Sequence, residues 1–136
     1  ILTLSPPITL EPRWLAPHTG YTIAKYGMTL TALGLAEELK EDGVASNALW
    51  PRTLVATAAV QNLLGGDAAM KMARTTAIYA DAVYEVLTSD SRELTGQALL
   101  CEDVLKASGV TDFTPYAADG AGAELGVDLF VDSVDP

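Results

Sequence analysis

The chain has 136 residues and a formal net charge of −10, with 49% hydrophobic and 19% charged residues. This composition suits one globular domain with a buried core. The negative charge argues against nucleic acid as a partner, because a phosphate backbone would be repelled. No run of about 18 apolar residues is present, so the sequence predicts no membrane span.

Cysteine and metal-ligand patterns narrow the class further. Cys101 is the only cysteine, which rules out an internal disulfide and favours a reducing, cytoplasmic setting. No cluster of His and Cys has the spacing of a zinc site, so no metal is predicted. Residues 112–136 carry acidic side chains but no Lys or Arg, and they lack the spacing of a calcium loop. We therefore predict a solvated acidic C-terminal tail.

The first part of the chain predicts a strand, a loop and a helix. The apolar residues 1–4 are typical of a buried strand, which ends at Ser5 before two prolines that cannot donate to a sheet. Further prolines make 6–18 a loop, and residues 20–40 form a helix that stops near Gly43. Small residues repeat at helical spacing along this helix, which predicts close packing against a sheet or another helix. This small-residue stripe consists of Ala24, Gly27, Thr31 and Gly34.

The remainder predicts alternating helices and strands. A strand at 44–50 is followed by helices at 53–64 and 78–87, a strand at 97–101 and a helix at 103–108. This alternation indicates an α/β fold, a doubly wound, Rossmann-like parallel sheet with three strands and flanking helices. Three strands are few for such a sheet, and the sequence opens directly on an apolar strand. We therefore expect these residues to be the C-terminal half of a larger domain.

Tyr21 and Lys25 are the first candidates for chemistry. They lie four residues apart on the predicted helix and hence on one face. A tyrosine with a pKa near ~10 is a poor acid or base at neutral pH, but a nearby ammonium group favours the phenolate and lowers that pKa. Such a pair can donate or accept a proton at a substrate oxygen. The alternative is a surface lysine beside a packed tyrosine.

Polar residues at two strand ends add to this pair. Ser5 follows the first strand, and ligands of open α/β sheets bind at the carboxyl ends of the strands. Pro51, Arg52 and Thr53 follow the second strand, where they form a candidate lip beside a ligand. The simpler alternatives are a turn-forming serine at the first position and a proline-stopped strand with Thr53 as a helix cap at the second.

The order of these motifs resembles a known family. A strand-end Ser is followed by Tyr-x-x-x-Lys on a helix, by Asn-x-x-x-Pro at a strand end, and by Thr-Gly-Gln at 95–97. This order resembles the C-terminal half of the short-chain dehydrogenase/reductase family over nearly the whole chain. The strings at 21–28 and 47–51 indicate one particular subgroup. The resemblance implies that the three strands are the last three of a seven-stranded parallel sheet.

The resemblance implies an oxidoreductase that transfers a hydride between NAD or NADP and a small carbonyl or alcohol substrate. An apolar pocket wall would suit a lipid-like substrate. Tyr21 would be the general acid/base, Lys25 would lower its pKa and hold the nicotinamide ribose, and Ser5 would orient the substrate oxygen. Cofactor contacts would come from Tyr21, Lys25, Pro51, Arg52 and Thr53. Residues 54–74 would form a mobile substrate lid, in which Leu54, Leu63, Leu64 and Met70 would contact the substrate.

Some features depart from this pattern. Arg52 stands where the family usually has glycine, and residues 101–103 replace the usual Asp-Gly-Gly. No glycine-rich phosphate loop follows a strand in this sequence, so we expect the segment alone to be inactive.

Two other functions are alternatives to the oxidoreductase. One is a catalytically silent half-fold that acts in binding or oligomer assembly through the small-residue stripe; we expect a homo-oligomer in either case. The other is a hydrolase with Ser5 as nucleophile, which the absence of a Gly-x-Ser-x-Gly motif disfavours. We expect Trp14, Trp50 and Cys101 to be packing residues.

Overall fold

The computed structural model describes residues 1–120, 122 and 124–135. Ala121, Ala123 and Pro136, which belong to the predicted acidic tail, lie outside the described residues. The chain forms a three-stranded parallel sheet with flanking helices. Among the residues that the structure describes, no helix is long and apolar enough to cross a membrane.

Strands and helices alternate along the chain. The elements are β1 (Leu2–Thr3), α1 (Pro12–Leu15), α2 (Thr19–Glu38), β2 (Asn47–Trp50), α3 (Ala58–Leu63), α4 (Gly66–Lys71), α5 (Ala77–Thr88), β3 (Ala98–Leu100) and α6 (Cys101–Ala107). A single 3₁₀ turn follows at Thr114–Tyr116. The predicted α/β class is confirmed.

The three strands lie side by side in chain order, with β2 in the centre. β1 and β2 run parallel with Thr3 opposite Ala48, and β2 and β3 run parallel with Leu49 opposite Leu99. Parallel neighbours need crossover connections, which α2 supplies between β1 and β2 and α3 to α5 supply between β2 and β3. The carboxyl ends of the three strands therefore share one edge of the sheet. Within the described residues, no strand pairs with the outer edge of β1.

The core lies on both faces of β2, whose residues are all buried. Alternate side chains of a strand point to opposite faces. Leu49 packs with Ile78 of α5 and Leu105 of α6, whereas Trp50 packs in an aromatic cluster that includes Tyr26 of α2. The sheet is thus covered by α2 on one face and by α5 and α6 on the other.

Several predicted boundaries differ from the structure; the second strand, for example, begins at Asn47 and not at residue 44. The proline-rich loop contains one helical turn, α1, which begins at Pro12 because proline is tolerated in the first helical turn. The next predicted helix begins at Ala58 rather than Thr53, and its cap is Thr57. Cys101 begins α6 instead of ending β3, although it is buried as expected.

The prediction of a solvated acidic tail is wrong for its last part. Phe130 and Val131 are buried, and residues 124–135, here called the C-terminal segment, fold back onto the sheet edge. The apolar run at 129–131 explains this return, because burying such side chains is favourable by about 1.5–3 kcal/mol each. Backbone hydrogen bonds add to it, since the Asp128 amide donates to the Arg52 carbonyl at 2.9 Å.

The close packing predicted for the small-residue stripe is not found within the described chain. The stripe faces solvent, and no atom lies within 4 Å of a Cβ placed on Gly27 or Gly34. The buried face of α2 carries Thr29, Ala32 and Ala36 instead. The two faces lie on nearly opposite sides of the helix, but both carry small residues at helical spacing, so the sequence pattern alone did not distinguish them.

Candidate active site

Lys25 lies where two strand ends meet. Its Nζ donates to the carbonyl oxygen of Leu4, just after β1, at 2.9 Å. The same Nζ lies 5.1 Å from the ring centre of Trp50, the last residue of β2. A cation at this distance from an indole is attracted by the negative face of the ring. Two independent contacts therefore hold the ammonium group at the carboxyl edge of the sheet.

Tyr21 lies one helical turn before Lys25 at the same edge. The Lys25 Nζ is 5.9 Å from the centre of its ring. The other contact of the ring is Phe130 of the C-terminal segment, with which it stacks at 6.2 Å and an interplanar angle of 14°. The helix and the C-terminal segment together orient the tyrosine, and its side chain remains 43% exposed.

Ser5, which directly follows Leu4 in the chain, is completely buried. Its hydroxyl has no hydrogen-bond partner among the described residues. The following loop is anchored by Thr29, whose hydroxyl donates to the Pro6 carbonyl at 2.7 Å. A buried hydroxyl without a partner costs about 1–3 kcal/mol, but Ser5 does not line the cavity beside Tyr21, so its hydroxyl would reach a ligand there only after a local rearrangement.

A cavity of about 200 Å³ opens next to Tyr21. Most of its walls are apolar, and they come from α2, from the end of β2, from α3 and α5, and from the C-terminal segment. The lining residues are Tyr21, Trp50, Pro51, Val55, Thr57, Ala59, Val60, Leu64, Tyr79, Asp128 and Leu129.

Most polar side chains of this cavity are already engaged. The Tyr79 hydroxyl donates to the Leu49 carbonyl at 2.7 Å, and Thr57 caps α3 by accepting the Val60 amide at 3.4 Å. The Tyr21 hydroxyl forms no hydrogen bond with the described residues. Asp128 is the only carboxylate among the lining residues. Tyr21 and Asp128 are thus the polar groups that a ligand in the cavity would meet.

The pKa of Tyr21 is raised, which is opposite to the expected direction. Burial is the larger cause, and the negative charge of Asp128 adds to it. The pKa of Lys25 is lowered by burial, an effect that Asp128 partly opposes. Desolvation and Asp128 therefore set the direction of the shift, and the Lys25 ammonium group, 5.9 Å from the ring centre, does not lower the pKa of Tyr21 in this chain. Burial also raises the pKa of Asp128 to about 6, although the Leu129 amide and Lys25 oppose that rise.

Of the three predicted lip residues, only Pro51 lines the cavity. The Arg52 guanidinium pairs with both oxygens of Asp103 at 2.9 and 2.8 Å. Thr53 is completely buried, and its hydroxyl lies 3.5 Å from the Glu102 carboxylate. The side chains of Arg52 and Thr53 thus turn toward α6. The backbone of Arg52 is engaged as well, because its amide donates to Glu102 and its carbonyl accepts the Asp128 amide.

Glu102 holds this lip in place, a role that the sequence did not reveal. Its completely buried carboxylate accepts the Arg52 backbone amide at 2.8 Å and a guanidinium N–H of Arg74 at 2.6 Å. Arg74 is buried as well and forms backbone bridges to Val55 and Ala117. One acidic side chain therefore ties the lip after β2 to the end of the predicted lid.

The predicted substrate residues are only partly brought together. Leu64 lines the cavity. Leu63 is exposed, Met70 lines a different surface depression, and Leu54 packs against Gly126. Four other lining residues belong to the predicted lid at 54–74, although they were not singled out: Val55, Thr57, Ala59 and Val60. The lining residues that the sequence did not indicate are Trp50, Tyr79, Asp128 and Leu129.

The comparison with solved structures identifies the class of protein. No protein-family profile matches the chain. A short chain dehydrogenase from Mycobacterium thermoresistibile is 65% identical, matches 100% of this chain and 48% of its own, and has a TM-score of 0.89. A candidate dehydrogenase from Xanthomonas campestris is 47% identical, matches 98% of this chain and 48% of its own, and has a TM-score of 0.89. The chain belongs to the short-chain dehydrogenase/reductase family, as its motif order indicated.

Similarity to curated proteins indicates one subgroup within this family. Hydroxysteroid dehydrogenase-like protein 2 of Danio rerio is 46% identical over 132 residues, which are 97% of this chain and 31% of that protein. The human protein of the same name is 42% identical over 132 residues. This is the subgroup that the strings at 21–28 and 47–51 indicated. The chain spans about half the length of the solved structures and less than a third of these curated relatives.

Proposed function

We propose that the protein carrying this chain is an oxidoreductase that transfers a hydride between NAD or NADP and a carbonyl or alcohol substrate. Tyr21 acts as the general acid/base, with help from Lys25 and Ser5. The observation that carries the proposal is the position of Tyr21 and Lys25 on one face of α2, at the carboxyl ends of β1 and β2 and beside an apolar cavity. The relation to short-chain dehydrogenases supports this chemistry.

The residues at this edge fit a nicotinamide cofactor. Lys25 uses one N–H on the Leu4 carbonyl, and its other two N–H groups can donate to ribose hydroxyls. Pro51 and the backbone of Thr53 would form the lip beside the nicotinamide, and Arg52 would hold that lip in place through its bonds to Glu102 and Asp128. When bound, the cofactor gives or accepts the hydride. The side chains of this chain supply the proton and the orientation.

Tyr21 moves the proton at the substrate oxygen. Its hydroxyl donates when a carbonyl is reduced, and its phenolate accepts when an alcohol is oxidised. Because the pKa of Tyr21 is raised in this chain, the protonated form predominates at neutral pH, and this form serves reduction directly. Oxidation needs the phenolate, which the Lys25 ammonium group favours.

Ser5 orients the substrate oxygen. Its buried hydroxyl has no partner among the described residues, and it follows β1 at the edge where Lys25 lies. A hydrogen bond to the substrate oxygen would remove the cost of the unbonded hydroxyl and would bring that oxygen toward Tyr21.

The cavity suits a small apolar or lipid-like substrate. Its volume of about 200 Å³ and its aliphatic walls favour a hydrocarbon portion next to the reacting carbonyl. Leu64 contacts the substrate directly. Leu54, Leu63 and Met70 would reach it only after a movement of the segment 54–74.

The test is Tyr21→Phe in the full-length protein that carries this chain, assayed with NAD(P)H and a ketone panel. We expect turnover to fall at least about a hundredfold, the usual scale for a lost general acid/base. Lys25→Met should also impair turnover severely. Tyr84→Phe is the matched control, because Tyr84 is exposed at 66% and lies outside the cavity. Near-normal turnover of the Tyr21 variant would refute the proton-transfer role.

One observation favours a second function, a role in assembly. The small-residue stripe of α2 is exposed, and open space surrounds Gly27 and Gly34. Two such faces can approach closely, because no side chain separates their backbones. A homo-oligomer formed through this face is compatible with the enzyme. It becomes the main function only if Tyr21→Phe and wild-type protein are equally inactive on every substrate tested while both assemble.

A further inference from the structure

We infer that Asp128 is a specificity-determining residue, which makes the cavity beside Tyr21 accept neutral substrates with a hydrogen-bond donor and reject substrates with a carboxylate. The inference rests on the proposed function and deepens it, because it names a substrate class for the same cavity. Asp128 belongs to the C-terminal segment, whereas Tyr21 and Lys25 belong to α2.

The first support is the contrast between Asp128 and the walls around it. The cavity is built mainly from apolar side chains such as Trp50, Val60 and Leu64, and Asp128 is the only carboxylate that the described residues place in its wall. A charged group in such surroundings loses much of its hydration. A ligand that fills the cavity therefore has to replace that hydration with a donor, or bind more weakly.

The second support is the rigid anchoring of Asp128. Its amide donates to the Arg52 carbonyl at 2.9 Å, and the next carbonyl, of Leu129, accepts the Trp50 indole N–H at 2.9 Å. Just before it, Val127 forms an antiparallel bridge with Thr53. The backbone is thus fixed on both sides of Asp128, so its carboxylate stays at the cavity wall.

The third support is the incomplete pairing of the carboxylate. One oxygen accepts the Leu129 amide at 2.6 Å, and an asparagine could accept that hydrogen bond equally well. Among the described residues, no cation lies within 4 Å of either oxygen. The local backbone therefore does not require the negative charge, which remains available to act on a ligand.

The charged and titratable groups near Asp128 come from three helices. They are Tyr21 and Lys25 of α2, Tyr79 of α5, and Cys101 and Glu102 of α6. Lys25 is the only cation in this group, and Glu102 is already paired with Arg74. An incoming carboxylate would therefore meet an ionised Asp128 and only one ammonium group. Like charges that face each other in a desolvated site repel strongly.

The test compares three cyclic ketones with the full-length protein and NAD(P)H. The probes are cyclohexanone, 4-hydroxycyclohexanone and 4-oxocyclohexanecarboxylate, which differ at one position. At pH 8, we expect wild-type kcat/KM to be about 10- to 100-fold higher for the hydroxy probe than for the carboxylate probe. Asp128→Asn should bring the two values to within about threefold of each other. Asp135→Asn, which removes an equal charge from an exposed position of the same segment, should behave like wild type.

Two further measurements keep the inference separate from the proposed function. Calorimetric titration of the three probes measures discrimination without turnover, so wild-type protein that binds but does not reduce them would count against the proposed function alone. In wild type, lowering the pH from about 8 to about 5.5 should weaken rejection of the carboxylate probe, because Asp128 becomes protonated while an ordinary carboxylate with a pKa near ~4 stays charged. If wild type and Asp128→Asn discriminate equally between the carboxylate probe and the hydroxy probe, in binding and in kcat/KM, the inference is overturned.

Discussion

Replacing Asp128 by asparagine should stabilise the protein at neutral pH. The substitution keeps the shape of the side chain and an oxygen for the Leu129 amide, but it removes a charge that the apolar cavity solvates poorly. Burial raises the pKa of Asp128 from its ordinary 3.8 to about 6. The folded state therefore prefers the protonated acid more strongly than the unfolded state does.

The sign and size of the effect follow from this shift. Between pH 4 and pH 6 the folded state binds more protons than the unfolded state, so wild-type stability falls as the pH rises through this window. A shift from 3.8 to about 6 corresponds to at most about 3 kcal/mol. Asp128 is only partly buried, and screening by solvent lowers the expected loss to about 1–2 kcal/mol.

Urea unfolding of the full-length protein at a series of pH values measures this effect. The free energies of unfolding of wild type and Asp128→Asn should be similar near pH 4, and the variant should become more stable by about 1–2 kcal/mol at pH 7 and above. Asp135→Asn serves as control and should show no such trend. A difference between wild type and Asp128→Asn that does not depend on pH, or a variant that is less stable at pH 8, would refute the reasoning.

Three further outcomes are expected. Phe130→Ala should lower the free energy of unfolding by about 3–5 kcal/mol, because the ring contacts four other aromatic rings. Limited proteolysis should then cut the C-terminal segment of the variant, and a variant that resists cleavage would contradict the anchoring role of Phe130. Glu102→Gln should cost about 3–5 kcal/mol by leaving Arg74 as an unpaired buried charge, and an unchanged melting temperature would show that the pair is dispensable. Alcohol oxidation should accelerate with pH below the pKa of Tyr21, whereas carbonyl reduction should not, and parallel pH profiles would argue against Tyr21 as the proton carrier.

The fold was predictable because its signals are local. Apolar strands, two of them ending at prolines, and helices with regular apolar spacing indicated the α/β class. The place of the three strands in a larger sheet was implied only by the resemblance to short-chain dehydrogenases. The same local patterns placed Tyr21 and Lys25 four residues apart on one helix. Their position at the strand ends follows from the rule that ligands bind outside the carboxyl ends of parallel strands.

The remainder of the site was not predictable, because it depends on contacts between distant segments. Asp128 and Phe130 reach Tyr21 from more than a hundred residues away in the chain. The acidic composition of the last 25 residues suggested a solvated tail, and it outweighed the apolar run at 129–131, which was the one signal of a return to the core. The raised pKa of Tyr21 was missed for the same reason, since burial and Asp128 are both consequences of that return.

The C-terminal segment links the stability of the protein to the chemistry that we propose. Phe130 fills an aromatic cluster and stacks on Tyr21, so burial of this one ring both anchors the segment and orients the candidate acid/base. The same anchoring places Asp128 in an apolar wall, where its charge destabilises the folded state. A neutral side chain would fit the same backbone, because only the Leu129 amide needs an acceptor there. A side chain that costs stability and has a neutral substitute of equal shape is best explained by its effect on what enters the cavity.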